Sequence, residues 1–437
     1  MQKYDEYKSS GIQWIGDIPS HWEVKRLKYT ASIFNGNSLN DSQKKEYFNC
    51  ETMDSLPYVA SKDIDKDFGS VDYENGMRIP GSVTGFYVAD TNTTLLCIEG
   101  GSAGKKIAYV NQPVCFVNKL CCINSKINSK YNYFFIRSNS FKEPFFRSLQ
   151  GMIGGVTVGQ INNFPVPIPP VAEQEAIVEY LDKKCGSIDA VIATQERRIA
   201  LLSELKQSII TEAVTRGINP NAPLKDSGIE WIGKIPQHWE ICRLKFCIKE
   251  PLMYGANEAP DNIDDLHPRY IRITDIDDDG QLKPNTFCTL NPQIAAAYLI
   301  EYGDILFARS GATVGKTYIH LSNEPACFAG YLIKAKANRK KALPQFLYYF
   351  SKSYSFSNWK DGINVQATIQ NIGADKYANL PIPLPSVMEQ TDIVQRIEAK
   401  IQPIDTAIGK AKREIELLRE FKQSVITEAV TGKIKVY

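Results

Sequence analysis

The sequence runs to 437 residues, about three times the commonest domain size, so more than one core is expected. Hydrophobic residues at 43%, charged residues at 23% and aromatics at 11% exclude a disordered tail, a collagen-like fibre and a small disulfide scaffold; no stretch nears the ~20 apolar residues of a membrane helix. Lys+Arg at 51 against Asp+Glu at 49 leaves +2, which taken whole argues against a nucleic-acid binder.

The start, Met1 to Glu6, lacks an apolar signal-peptide core, so a cytoplasmic protein is expected. The ten cysteines form no Cys-x-x-Cys pair and read as small buried hydrophobes. The first motif is Ser10-Gly-Ile-Gln-Trp-Ile-Gly-Asp-Ile-Pro-Ser-His-Trp-Glu23, followed by Arg26-Leu27-Lys28. Residues 40–75 then hold nine acids and four bases, net −5. Strand-like runs follow at Leu95 to Ile98 and Ile107 to Val110, joined by the glycine turn Gly101-Ser-Ala-Gly-Lys105. Residues 99–150 carry eight bases and two acids, net +6, and end in an aromatic helical segment from Tyr131 to Phe146. Those aromatics fit a helix packed on its own domain better than a base-stacking platform. Pro165-Val-Pro-Ile-Pro-Pro170 predicts an extended, polyproline-like exit.

A long helix is predicted over roughly 173–216. Ile188, Ile192, Gln195, Ile199, Leu202, Lys206, Ile209 and Ala213 recur with the alternating 4-and-3 spacing of a coiled-coil seam. Gly217 is a stop signal, and Gly186 marks an expected kink or break.

The chain then repeats itself. The opening motif returns as Ser227 to Glu240 at an offset of 217, and Arg243-Leu244-Lys245 follows. Residues 250–303 are acidic (net −7) and 304–361 basic (net +6), with strand-like runs at Ile305 to Phe307 and Tyr331 to Ile333 and an aromatic segment from Phe346 to Trp359. Pro381-Ile-Pro-Leu-Pro-Ser386 leads to a second long helix over roughly 389–431. Its seam is Ile404, Ile408, Ala411, Ile415, Leu418, Lys422, Val425 and Ala429, each 216 residues after its counterpart; Pro403 answers Gly186 and Gly432 answers Gly217. A helix of about 40 residues is a rod of roughly 60 Å. The copies agree at their edges and differ in their centres, which suggests one task performed on two targets.

Catalytic motifs are missing. Four histidines (His21, His238, His267, His320) are too few and dispersed for a metal site, and His21 and His238 hold the same repeat position, which favours a structural role. Gly311-Ala-Thr-Val-Gly-Lys-Thr317 falls one residue short of a P-loop and runs into a strand-like segment, so it reads as a tight turn presenting a lysine. There is no Gly-x-Ser-x-Gly, no Asn-Pro-Pro-aromatic and no Gly-x-Gly-x-x-Gly motif, and the chain is expected to catalyse nothing alone. The charge blocks qualify the +2: a basic block with glycine turns suits contacts to a phosphate backbone. The plain alternative is a solvated surface of mixed sign.

The Trp-Ile-Gly-x-Ile-Pro-x-His-Trp-Glu flanks, the Pro-x-Pro-x-Pro exits with Glu173-Gln174 and Glu389-Gln390, and the two glycine–lysine turns together resemble the specificity (S) subunits of type I restriction-modification systems, over the whole chain. The resemblance implies an α+β fold: two tandem mixed α/β target-recognition domains (1–170 and 218–385), each followed by a long spacer helix (171–217 and 386–437). The helices would pair as an antiparallel coiled coil with a pseudo-two-fold internal repeat. It implies a non-catalytic chain that binds double-stranded DNA at a bipartite, asymmetric target and scaffolds two methyltransferase (M) subunits and restriction (R) subunits. S-adenosylmethionine on the M subunits, and ATP and Mg on the R subunits, would be the cofactors of the complex, with none in this chain.

Base readers are usually Arg, Lys, Asn, Gln, Ser and Thr on turns. The candidates are Ser61, Lys62, Ser102, Lys105, Lys106 and Gln160 in the first domain, and Arg272, Thr274, Arg309, Ser310, Lys316 and Gln370 in the second. The lysines suit phosphate better than bases. Arg197, Arg198 and Glu204 are candidates for M-subunit docking. Two other readings keep the architecture: the recognition module of a related combined restriction and methylation system, and a coiled-coil scaffold that binds no DNA.

Overall fold

Apolar runs without alternation predict strands covered on both faces, and both repeats contain one. The computed structural model describes residues 2–436 apart from 51, 53, 150–153, 262, 263, 265 and 365–370. By packing, the chain divides into two compact units, Met1–Glu196 with Lys412–Tyr437, and Arg197–Ala411. Each unit thus joins one globular domain to parts of both long helices, Val171–Arg216 and Val387–Val430.

In the first unit the strands are β1 (Glu23–Arg26), β2 (Ala31–Asn35), β3 (Leu56–Val59), β4 (Thr94–Cys97), β5 (Ile107–Tyr109), β6 (Val114–Phe116), β7 (Leu120–Ser125) and β8 (Pro165–Ile168). One antiparallel sheet has the order β2-β7-β4-β5; in another, β3 and β6 run parallel. Strand β4 is buried throughout. Leu95 and Cys97 face a core shared with Val59 and Phe116, while Leu96 faces a second core with the helices. The helices α1 (Ser129–Arg137) and α2 (Asn139–Arg147) supply Tyr131, Phe135, Phe141 and Phe145 to that second core. The aromatic segment is therefore two helices rather than one. Ser138 is extended at the break, and its hydroxyl donates to the Phe135 carbonyl at 2.6 Å.

The second unit repeats the plan with β9 (Glu240–Arg243), β10 (Met253–Tyr254), β11 (Arg269–Ile271), β12 (Ile305–Ala308), β13 (Thr317–Ile319), β14 (Ala326–Phe328), β15 (Leu332–Ala335) and β16 (Pro381–Leu384). Its antiparallel sheet has the order β10-β15-β12-β13, and β11 runs parallel to β14. Its aromatic segment likewise splits, into α3 (Pro344–Phe350) and α4 (Tyr354–Asn364). The proline ladders are strands too: β8 pairs antiparallel with β1, and β16 with β9. Each lies in a two-stranded ribbon with prolines at alternate positions, so the missing N–H groups can fall on one edge of the strand. That pairing replaces the unpaired polyproline exit expected from composition.

The two long helices expected from the seam are present. They run on through Gly186 and Pro403, where a break was expected, and the chain turns at Gly217 (φ +74°) and Gly432 (φ +71°), a left-handed conformation suited to glycine. Of the seam positions, Ile188, Ile192, Ile404, Ile408, Ile415 and Val425 are buried, and Ile199, Leu202, Ile209 and Leu418 are half-buried.

What holds each domain to helix is the repeated His-Trp and Glu-Gln pairs. In the first unit the Trp22 indole N–H donates to Glu173 Oε2 at 2.9 Å, and His21 Nε2 lies 2.6 Å from Oε1. In the second, Trp239 donates to Glu389 Oε1 at 3.0 Å, with His238 Nε2 3.0 Å from Oε2. The neighbouring glutamines act on the small helices. Gln174 Oε1 accepts from the Asn128 N–H ahead of α1 (3.1 Å), and Gln390 Oε1 from the Leu343 N–H ahead of α3 (2.7 Å). Burying an indole contributes roughly 4–6 kcal/mol as an upper bound, whereas stranding its N–H costs about 1–3 kcal/mol, so the carboxylate protects a large gain.

We predict that Glu173→Ala destabilises the first unit by about 1–3 kcal/mol in urea unfolding, and that Glu173→Gln, which keeps an acceptor, costs less; equal losses would count against the clamp. Asn132 on α1 is 1% exposed, and neither polar atom of its side chain has a hydrogen-bond partner among the described residues. Counting from the two glutamine-bonded N–H groups, its counterpart on α3 is the buried Leu347. Asn132→Leu is expected to raise the thermal midpoint of the first unit, by about 1 kcal/mol or more of stability.

Candidate nucleic-acid interface

In each domain a parallel strand runs into a one-turn 3₁₀ helix whose last residue is an aspartate that bonds back to the strand end. Asp63 Oδ2 accepts from the Ala60 N–H at 2.8 Å, and Asp275 Oδ2 from the Arg272 N–H at 2.9 Å. The signal for this element is the recurrence of Asp63-Ile64-Asp65 as Asp275-Ile276-Asp277, which the sequence reading passed over.

Five of the six candidates in the first domain sit on this turn and the glycine–lysine turn, and one bond links the two turns. Lys106 Nζ donates to the Ser61 carbonyl (2.7 Å) and approaches that of Lys62 (3.5 Å). The Ser102 carbonyl accepts from the Lys105 and Lys106 N–H groups, and Lys105 Nζ donates to the Gly101 carbonyl at 3.1 Å. Gln160 has local work: its side-chain oxygen accepts from the Thr157 N–H and hydroxyl, both at 2.9 Å.

The candidates of the second domain are less alike. Arg272 is fixed on the buried Asp275 (Nη2–Oδ1 2.9 Å, Nε–Oδ2 3.1 Å), which raises its affinity for the proton. Thr274 is exposed, its hydroxyl 3.2 Å from Asp275 Oδ1. Lys316 pairs with Asp278 at 2.6 Å and holds that carboxyl below its ordinary value. Ser310 bridges to Asn371, and Gln370 lies outside the described residues. Arg309 differs: its guanidinium lies 4.7 Å from the centre of the Tyr254 ring, and its Nε is buried without a partner among the described residues. The Gly311–Lys316 segment is a turn between the antiparallel β12 and β13, with Gly311 at φ +68° and Gly315 at φ +84°, which agrees with the reading against a P-loop. Arg197, Arg198 and Glu204 are exposed on the first long helix.

The charge blocks mix more in space than along the chain. Lys316, Lys334 and Lys336 of the second basic block meet Asp278, Glu250 and Glu301 of the acidic block at 2.6, 3.6 and 2.7 Å. In the first domain Lys119 lies 3.8 Å from Glu99, within its own block. Opposite charges approach because exposed ion pairs cost little to form, so the basic face is narrower than the +6 counts suggest.

A further cationic group, which the sequence reading missed, lines a cleft of about 140 Å³ in the first unit: Arg137, Lys142, Arg419 and Lys422 with Asp67 and Asp189. Lys422 bonds both Asp189 oxygens at 2.6 Å, and Arg419 bonds Asp67 at 2.9 Å. Burial, followed by the nearby Arg137 and Lys422, pushes the Lys142 ammonium down to about 8. The second unit holds the counterpart of the Lys422 pair 216 residues earlier in each partner, Lys206 with Asp405 at 2.6 Å.

Among the described residues no cluster of His, Cys, Asp or Glu suits a metal ion, and no helix is long and apolar enough to cross a membrane. The family model for the type I restriction modification DNA specificity domain matches residues 19–200 and 270–417. The chain is 24% identical to the type I restriction enzyme EcoBI specificity subunit of Escherichia coli, over 98% of this chain and 90% of that one. It is 23% identical to the MjaVIII specificity subunit of Methanocaldococcus jannaschii, over 100% and 98%. A solved chain from a study of complex assembly and conformational transition of the type I R-M system shares the fold, with a TM-score of 0.64 at 18% identity over 95% of this chain and 99% of that one. With both repeats carrying the family's domain, the chain belongs to the type I restriction-modification DNA specificity family, whose members are specificity subunits and not the catalytic ones.

Proposed function

We propose that this chain reads a bipartite, asymmetric target on double-stranded DNA, one element per globular domain, and scaffolds two M subunits and the R subunits of a type I complex. The observation that carries the reading is that both domains use one backbone plan while presenting different side chains around it. The paired long helices would act as an antiparallel coiled coil with a pseudo-two-fold relation. The Lys422–Asp189 and Lys206–Asp405 pairs support this, because a two-fold relation turns each contact into its counterpart 216 residues away. The DNA-facing set would centre on Ser61, Lys62, Ser102, Lys105 and Lys106 in one domain, and on Thr274, Arg309, Ser310 and Lys316 in the other. Gln160, Arg272 and Gln370 would flank them. Arg197, Arg198 and Glu204 would meet an M subunit. S-adenosylmethionine would belong to the M subunits, and ATP and Mg to the R subunits.

Affinity of the full chain with its subunits for duplex DNA should fall steeply with salt and resist competitor DNA for one split sequence only. A salt-insensitive, sequence-blind complex would sink the reading. Inserting seven residues into one long helix should change the length of the unread spacer or disrupt assembly, with both half-sequences retained. Altered half-sequences in a selection from random duplexes would refute the spacer role.

A further inference from the structure

The two domains can be superposed bond by bond without reference to sequence. The Gly36 N–H donates to the Leu120 carbonyl, as Gly255 does to Leu332. Ile98 donates to Lys119 and Arg309 to Tyr331; Val156 donates to Ile98 and Ile372 to Arg309; Gly104 donates to Cys97 and Gly315 to Ala308. Both Gly36 and Gly255 sit where a Cβ would collide with a carbonyl oxygen, that of Phe116 or Phe328. The backbone at this edge is therefore common to both domains.

The side chains on it are not. Strand register pairs Asn35 with Tyr254, and the bonds above pair Ile98 with Arg309, Glu99 with Ser310 and Lys119 with Tyr331. Asn35, Lys119, Tyr254 and Tyr331 are exposed. Packing does not demand their identities, yet each pair differs in hydrogen-bonding character. The first domain carries an amide and a carboxylate–ammonium pair; the second carries a guanidinium between two tyrosines.

Resting on the DNA-reading function proposed above, we propose that these four matched positions select the bases of the two half-sites, and that Arg309 reads a guanine. Stacking on Tyr254 orients the Arg309 fork without consuming its N–H donors, and no carboxylate pairs with it among the described residues. Arg272 and Lys316, the neighbouring cations, are each tied to an aspartate. A preset, unspent fork matches the O6 and N7 acceptors of guanine in the major groove, whereas a flexible lysine suits phosphate. The carboxylate and amide of the first domain cannot make that contact, so the two elements differ.

The test is selection from a randomised duplex library by the full chain together with its subunits, for the wild type, Arg309→Gln, Arg309→Lys and Lys119→Tyr. Both Arg309 variants should lose preference for guanine at one position of one element by about ten-fold or more, with the other element intact. Lys119→Tyr should alter the other element alone. If both Arg309 variants select the wild-type sequence with uniformly weaker binding, Arg309 is a phosphate contact and the assignment fails while DNA reading stands. If the wild type selects no sequence, the function on which the assignment rests fails with it. Matched thermal midpoints separate either result from misfolding.

Discussion

A carboxylate at the start of each long helix holds this architecture together. Glu173 and Glu389 each accept from a fully buried indole N–H of the domain they follow in sequence. A tryptophan is worth burying only if its one donor is met, and the helix meets it. The same helical turn sends a glutamine to the backbone N–H ahead of a small helix of the domain, so orientation is fixed at two points. The stop glycines complete the junction: Gly432 packs against Pro19 and Trp22, and Gly217 against Trp239. Each domain is thereby seated on the start of one long helix and the end of the other.

This explains why the repeats match at their edges. The flanking motifs are the docking parts, so both copies must solve the same packing problem. The centres face solvent and are free to differ. Ion pairing follows the same division. Lys422 and Lys206 meet aspartates at matched positions, whereas the pairs on the domain surfaces, Lys119 with Glu99 and Lys316 with Asp278, have no counterpart in the other copy.

Much of the fold was legible from spacing alone. The seam residues, the stop glycines and the doubly buried strands carry patterns that follow directly from helix and strand geometry. Three features were not. The aromatic segments break at Ser138 and Ser353, where the hydroxyl bonds a carbonyl three residues back, and such local bonding leaves no periodic mark. The proline ladders became strands because the partner strand lies far away in sequence. Gln160 read as a free polar side chain, although the Thr157-x-x-Gln160 spacing is itself a capping signal. The candidate interface was legible only as a region, since which cation is spent on an aspartate depends on contacts far apart in the chain.

The division into units bears on how the molecule is made. The unit Arg197–Ala411 is one continuous stretch, whereas the other closes only with residues 412–437, whose Val425, Ile426, Ala429 and Val430 lie in its core. During synthesis at roughly 5–20 residues per second, the later-made unit is the first to have all its parts. The earlier domain emerges, waits with an unfilled face through some 200 residues of further translation, and is sealed last. Ribosome pausing or early termination near residue 411 would leave a finished second unit attached to an open first one, which makes that exposed core the natural target for a chaperone during biogenesis.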